Sequence, residues 1–463
     1  MANRNANVLV LEDDADWFDP MLLALKDCLN STSTHSNLAI DIRVDHAEDT
    51  LRAARLLRAA PWRLASFDVR LPRGPREGVS VQAGIDFLNR PSATSALAKR
   101  LVYSATLMRE GDAARMGDAA TTPRQRIAVA RHDEVFSKGP SDHAPQLTMR
   151  QWSELVTAYL ISDELRLPRY AIADLDLDGG GQTVLGRWFE QAPRRLPPLL
   201  ARLSVPLAQA WLQRLEHPQL VIDAAIPFIE ATSMMALAQT AMLCRAAVDQ
   251  SQRDAAEIQI HDAWPQSEGQ TGVLKALKRL RHGLSLASRQ CNWLGWLHVD
   301  ALTAFQVAND LRNRLRHDLK PRDHYTDLQA LRAPLQCAMD VAGYWAMHPL
   351  CFEVRAAPGG GWQAQCFVSR GMPNPMEAID DDLRMPPDLA HRPGTVWQSA
   401  GWRDADDQDW DMRLEPWAGT VERGDDFSLW FTAWRSRSDQ AQPVEGRIDL
   451  LTGQYQTRAV PKP

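Results

Sequence analysis

A set of polar side chains lies directly behind apolar runs in the first third of the chain, and their types suit one reaction. Val8-Leu9-Val10-Leu11 leads into Glu12-Asp13-Asp14, Leu64-Ala65-Ser66-Phe67 into Asp68, Leu101-Val102-Tyr103 into Ser104, and Val135-Phe136-Ser137 into Lys138. Clustered carboxylates would hold a divalent cation, one carboxylate would attack phosphorus, and a hydroxyl with an ammonium would take the transferred oxygens. Magnesium prefers hard oxygen ligands and keeps waters, so two or three carboxylates suffice for it.

The elements that must position these residues are short strands. Apolar runs at Asn7–Leu11, Leu64–Phe67, Arg100–Tyr103 and Glu134–Phe136 alternate with amphipathic stretches such as Asp45–Ala60. That alternation predicts an α/β fold with a parallel sheet. Open parallel sheets bind their ligands at the carboxyl ends of strands, where all of these polar residues fall. The ordered set resembles response-regulator receiver domains, which have a flavodoxin-like fold with a five-stranded parallel sheet. The resemblance implies that residues 1–143 take a phosphoryl group on Asp68 from a histidine kinase or another phosphodonor protein. It further implies that Ser104 and Lys138 bind that group, and that Mg2+ is held by Glu12, Asp13, Asp68 and the backbone carbonyl of Arg70. Pro72, four residues past Asp68, also fits. The chain departs from the family where Gly139-Pro140 follows Lys138 in place of a direct proline, and where Arg73–Ala83 and the segment between Ser104 and Lys138 run long. A decoy receiver that is never phosphorylated stays open beside the working one.

Residues 144–348 carry helical spacing: Trp152, Leu155, Val156, Tyr159 and Leu160, then Leu199–Leu215, Leu220–Ala247, Val273–Leu286, Trp293–Leu319 and Leu328–Trp345. This predicts an all-α middle domain. Its most distinctive run is Arg312-Asn313-Arg314-Leu315-Arg316-His317. It resembles the Arg-polar-x3-His signature of the HEPN superfamily (higher eukaryotes and prokaryotes nucleotide-binding), whose active members are dimeric, metal-independent ribonucleases. The resemblance implies a catalytic set of Arg312, Asn313 and His317 acting on RNA without a cofactor. His317 would take the 2′-hydroxyl proton and Arg312 would stabilise the phosphorane. Arg312 points roughly 140° around the helix from His317, so one copy makes a poor site and a homodimer a better one. The same residues fit a solvated basic helix end, with Arg316 and His317 favoured by the helix dipole ahead of Pro321, or a non-catalytic dimerisation module.

Residues 349–463 read as a small β-rich domain with Gly/Pro/Asp turns, and six of the sixteen tryptophans fall between Trp397 and Trp434. At strand spacing they are core, with base stacking as the sharper alternative. Lys275–Arg322 holds ten Lys/Arg against three Asp, whereas Glu377–Asp411 holds ten acids against three Arg. That opposition suggests that Asp404–Asp411 masks the basic patch until phosphorylation moves it. Asp174-Leu-Asp176-Leu-Asp178-Gly179 begins like a calcium loop, but Leu185 stands where the closing glutamate belongs, so a turn is the simpler reading.

Composition narrows the class. At 463 residues, 45% hydrophobic, 24% charged and net −6, the chain is a multidomain globular protein and not generally basic. The six scattered cysteines form no CxxC pair, which excludes a zinc framework of that type. With no run of eighteen uncharged apolar residues and a polar lead into the first strand, a cytoplasmic protein without membrane contact is expected. The expected function is a response regulator controlling a ribonuclease-like output, in a stress or phage-defence setting by analogy. The alternative is a non-enzymatic adaptor whose later domains dimerise or bind a partner.

Overall fold

The structure, a computed structural model, describes residues 4–36, 40–89, 99–109, 134–142, 144–161, 196–213, 216–248, 270–317, 323–366, 377–379, 395–404, 410–423, 429–436, 444–449 and 455–459, with a few short stretches between. The loop at Asp174–Gly179 lies outside them. The chain separates into two compact units, Met1–Gly186 and Arg187–Pro463.

The first unit runs β1 (Arg4–Leu11), α1 (Ala15–Ser36), β2 (Ile40–Ala47), α2 (Thr50–Ala59), β3 (Leu64–Phe67), a hairpin of β4 (Leu71–Pro72) and β5 (Val79–Ser80), α3 (Val81–Asn89), β6 (Lys99–Ser104), β7 (Val135–Ser137) and α4 (Met149–Ile161). The strands form one parallel sheet in the order β2-β1-β3-β6-β7. Its central strands are apolar on both faces because helices cover both: Val8 to Leu11 and Leu64 to Phe67 are all buried. On α1, Met21, Leu25 and Leu29 recur every four residues and turn one stripe onto the sheet. The long loop after Asp68 is ordered into the β4–β5 hairpin.

The helix α4 moves the expected boundary. Its spacing is helical as read, but Trp152, Val156 and Tyr159 pack with Val8, Val10, Met21, Leu25, Leu64, Leu101 and Tyr103 in the core of the first unit. The cause is the strand-helix alternation itself: β7 needs a helix after it, and the polar passage before Met149 is a short return loop, not an interdomain linker. The first unit therefore continues past residue 143.

The second unit joins helices and strands that the pattern separates at Pro349. Its helices are α5 (Pro198–Leu212), α6 (Pro218–Ala246), α7 (Gln270–Ser285), α8 (Trp293–Trp296), α9 (Val299–His317) and α10 (His324–Met347). Its strands are β8 (Gln290–Cys291), β9 (Cys351–Ala356), β10 (Trp362–Cys366), β11 (Glu377–Ile379), β12 (Thr395–Arg403), β13 (Asp411–Arg423), β14 (Leu429–Ser436), β15 (Val444–Asp449) and β16 (Tyr455–Ala459). They make an antiparallel sheet in the order β11-β10-β9-β12-β13-β14-β15-β16, with β8 added to β12. A buried polar seam ties the two parts. His348 Nδ1 is 2.8 Å from Ser399 Oγ, Gln398 Nε2 donates to the His348 carbonyl at 2.5 Å, and the Gly401 amide donates to Asn292 Oδ1 at 3.0 Å. Trp397 and Trp402 are core residues, while Trp410 is half-buried. The helix α6 is long and apolar enough to cross a bilayer by length and composition, yet most of it is buried among its neighbours.

Candidate functional site

Strand register brings the acids and the lysine together. Leu11 pairs with Phe67, so Glu12 and Asp68, each the next residue, stand side by side. Ser104 pairs with Ser137, so Lys138 leaves the sheet one residue beyond the hydroxyl. Backbone bonds carry the register past the strand ends: Asp68 N donates to the Leu11 carbonyl at 2.9 Å and Lys138 N to the Ser104 carbonyl at 3.2 Å.

At the centre, Lys138 Nζ donates to Asp68 Oδ2 at 2.6 Å and to Glu12 Oε2 at 2.5 Å. The other Asp68 oxygen accepts from Ser104 Oγ at 2.5 Å and from the Arg70 backbone amide at 2.9 Å. Glu12, Asp68, Ser104 and Lys138 are buried, while Asp13 is half-exposed at the rim. Three residues that the sequence reading passed over join them. Thr106 Oγ1 lies 2.8 Å from Ser104 Oγ, the Trp17 ring centre lies 4.8 Å from Lys138 Nζ, and His46 Nε2 lies 2.7 Å from the Glu12 carbonyl. The Ser-Ala-Thr spacing could have signalled Thr106. Nothing local in the sequence signals Trp17, since its neighbour is 121 residues away.

The charges explain the titration of the pocket. Burial, and then the charge of Asp68, pushes the Glu12 carboxyl up to about 8. The same two causes raise Asp13. Burial disfavours the Lys138 ammonium, but Asp68 and Glu12 outweigh it and hold its pKa above the ordinary lysine value. Tyr103, next to Ser104 and against the same lysine, is pushed up to about 12 chiefly by burial.

Three carboxyls facing one ammonium leave an excess of negative charge that a divalent cation would neutralise. Among the described residues no three acid, histidine or cysteine side chains converge tightly enough to cage a metal ion. Carboxylate oxygens of this kind are the hard ligands that magnesium takes while keeping several waters.

The second motif is placed differently. Arg312, Asn313 and His317 lie in the last two turns of α9, with Asn313 and His317 exposed. Arg312 turns inward and pairs with Glu230 of α6 at 2.6 Å. Burial raises the Glu230 carboxyl against the pull of Arg312 and Arg316. The structure thus does not bring Arg312 onto the face shared by Asn313 and His317 in a single copy. Of the basic patch, Lys275, Lys278 and Arg279 are exposed on α7. Arg289 meets the acidic stretch, at 2.8 Å from Asp404 and 3.6 Å from Asp411.

Comparison of the whole chain with family models, curated proteins and solved structures returns no match.

Proposed function

We propose that the first unit is a phosphoacceptor switch, with Asp68 taking a phosphoryl group from a histidine kinase or a related phosphodonor. The observation that carries this reading is the engagement of one buried carboxylate, Asp68, by both a lysine and a serine from neighbouring strand ends. In the reaction an Asp68 oxygen attacks phosphorus, the bond to the donor nitrogen or oxygen breaks, and the electron pair leaves on the donor. Lys138 and the Ser104 hydroxyl then turn from the carboxylate to the phosphoryl oxygens. Glu12, Asp13, Asp68 and the Arg70 backbone carbonyl would hold a magnesium ion, whose charge would offset that of the incoming phosphoryl group. The charge of the phosphoryl group and the new acyl phosphate alter what Lys138 touches, and freeing Glu12 from it changes the pocket beside Trp17 of α1. Incubating the chain with radiolabelled acetyl phosphate and magnesium tests this. Label on the wild type and none on Asp68→Asn supports the switch; an unlabelled wild type favours the decoy.

A second reading concerns the output. Exposed Asn313 and His317 on a basic helix end favour an RNA-cleaving homodimer, in which Arg312 would have to leave Glu230 to reach the site. Total RNA incubated in EDTA with wild type and with His317→Ala tests it. Degradation by the wild type alone supports the nuclease, and equal inertness supports the adaptor.

A further inference from the structure

The Lys138 side chain is buried, with two carboxylates and two aromatic rings around its ammonium. Two of its ammonium protons reach Glu12 and Asp68, and two aromatic rings close the remaining sides, Trp17 with its ring centre at 4.8 Å and Tyr103 at 5.7 Å. The two rings differ in setting. Tyr103 is 1% exposed and belongs to the core, its hydroxyl donating to the Leu147 carbonyl at 3.2 Å. Trp17 is half-buried on the outer side, in the first turn of α1. That turn is pinned: Asp14 Oδ1 accepts from the Asp16 amide at 2.9 Å, and the Asp14 carbonyl accepts from the Trp17 amide at 3.1 Å. The indole is thus held by its own backbone over the lysine, between the pocket and solvent.

We infer that Trp17 is a positioning residue for the Asp68 acyl phosphate, its ring face holding the Lys138 ammonium on the phosphoryl oxygens and screening phosphorus from water. The inference rests on the phosphoacceptor reading above. Loss of the phosphoryl group occurs when water attacks phosphorus, the bond from phosphorus to the Asp68 oxygen breaks with its electron pair returning to the carboxylate, and a water proton leaves with inorganic phosphate. A ring on Lys138 slows this in two ways: it keeps the cation desolvated and in place, and it occupies the approach side. Among aromatic side chains the indole offers an ammonium the strongest π face, and the contact gains from exclusion of water.

The test is the half-life of the phosphorylated full-length chain. Protein is loaded with radiolabelled acetyl phosphate and magnesium, freed of donor, and followed by loss of label, with Asp68→Asn as the blank. Trp17→Phe, which keeps a π face, should stay within about twofold of wild type, while Trp17→Ala should decay about tenfold faster. Trp17→Leu keeps apolar bulk at the helix turn without the π face, and should also decay faster; it stands in if the alanine variant fails to fold. Failure of Trp17→Ala to hold any label, restored by Trp17→Phe, supports the same conclusion. Equal half-lives for wild type, leucine and alanine variants overturn the role of Trp17 and leave the phosphoacceptor reading intact. Absence of label from the wild type and every variant overturns both.

Discussion

Replacing Trp152 with alanine should unfold the first unit well before the second. Trp152 is fully buried, stacks on Tyr103 with ring centres 6.1 Å apart, and donates from Nε1 to Ser66 Oγ at 3.2 Å. Truncating a core tryptophan costs about 3–5 kcal/mol, and leaving the buried Ser66 hydroxyl without its donor adds about 1 kcal/mol. A domain of this size holds about 5–15 kcal/mol in all, so the loss is a large share. At about 2–4 °C per kcal/mol, the midpoint of the first unit should fall by roughly 10–20 °C. With two units a single transition is not assured, so hydrogen exchange read by mass spectrometry, peptide by peptide, is the suitable assay. Protection should drop across β1, β3, β6 and β7 and hold in α6 and α10. A chain ending at residue 143 loses all of α4 and should be unfolded, whereas residues 1–186 should fold. Full protection of β1 and β3 in Trp152→Ala, or cooperative folding of residues 1–143, would refute the placement of α4 in this core.

Three further outcomes follow from single contacts. A Cβ on Gly84 would stand 2.0 Å from the Val69 carbonyl oxygen, a backbone atom next to Asp68, so Gly84→Ala should cost about 3 kcal/mol or more and lower phosphoryl uptake, measured by denaturant titration and label incorporation. Glu12 titrates near 8 when folded against 4.5 ordinarily, so between those values the native state binds more protons than the unfolded state and stability falls as pH rises. In EDTA, urea midpoints taken at pH 5, 6.5 and 8 should decline in the wild type and flatten in Glu12→Gln; Lys138, raised from an already high value, contributes no slope there. Asp404→Asn removes the 2.8 Å partner of Arg289, a surface pair worth no more than about 1 kcal/mol, so it should leave stability unchanged while tightening binding to a fluorescent RNA oligomer severalfold. Unchanged RNA affinity would end the masking idea.

The acids, the hydroxyl and the lysine were legible because each ends or follows a short apolar run that reads as a strand, central for β1, β3 and β6 and at the sheet edge for β7. Parallel strands buried on both faces read as unbroken Val/Ile/Leu stretches, and what comes next must lie at the sheet's end. The helix α4 was legible as a helix but not in its allegiance, since Trp152, Val156 and Tyr159 announce an apolar face and not which sheet it covers. The same limit hid the union of helices and strands in the second unit. That union rests on single polar residues, Asn292, His348 and Ser399, whose partners are more than fifty residues away. Arg312 illustrates the opposite case: a motif is a spacing along a helix, and Glu230, which decides where the guanidinium points, stands on another helix.

The departures of this chain from the receiver pattern fall where strand register cannot feel them. Leu11, Phe67, Val102, Ser104 and Ser137 are locked in parallel pairs, and the pocket is made of the residues immediately after them or, for Ser104, of a paired residue itself. Residues inserted between Ser104 and Lys138 lengthen the path between those strands without changing which residues end opposite one another. Loop closure grows only slowly with length, by about 0.6 kcal/mol for each doubling, so the sheet tolerates such insertions. The hairpin β4–β5 likewise adds chain after Asp68 while the Arg70 amide still reaches Asp68 Oδ1 at 2.9 Å. On the phosphoacceptor reading proposed above, the chemistry would depend on strand ends and the choice of phosphodonor on loops. Exchanging residues 73–78 for a shorter turn should accordingly alter the rate of uptake from a protein donor more than the rate from acetyl phosphate.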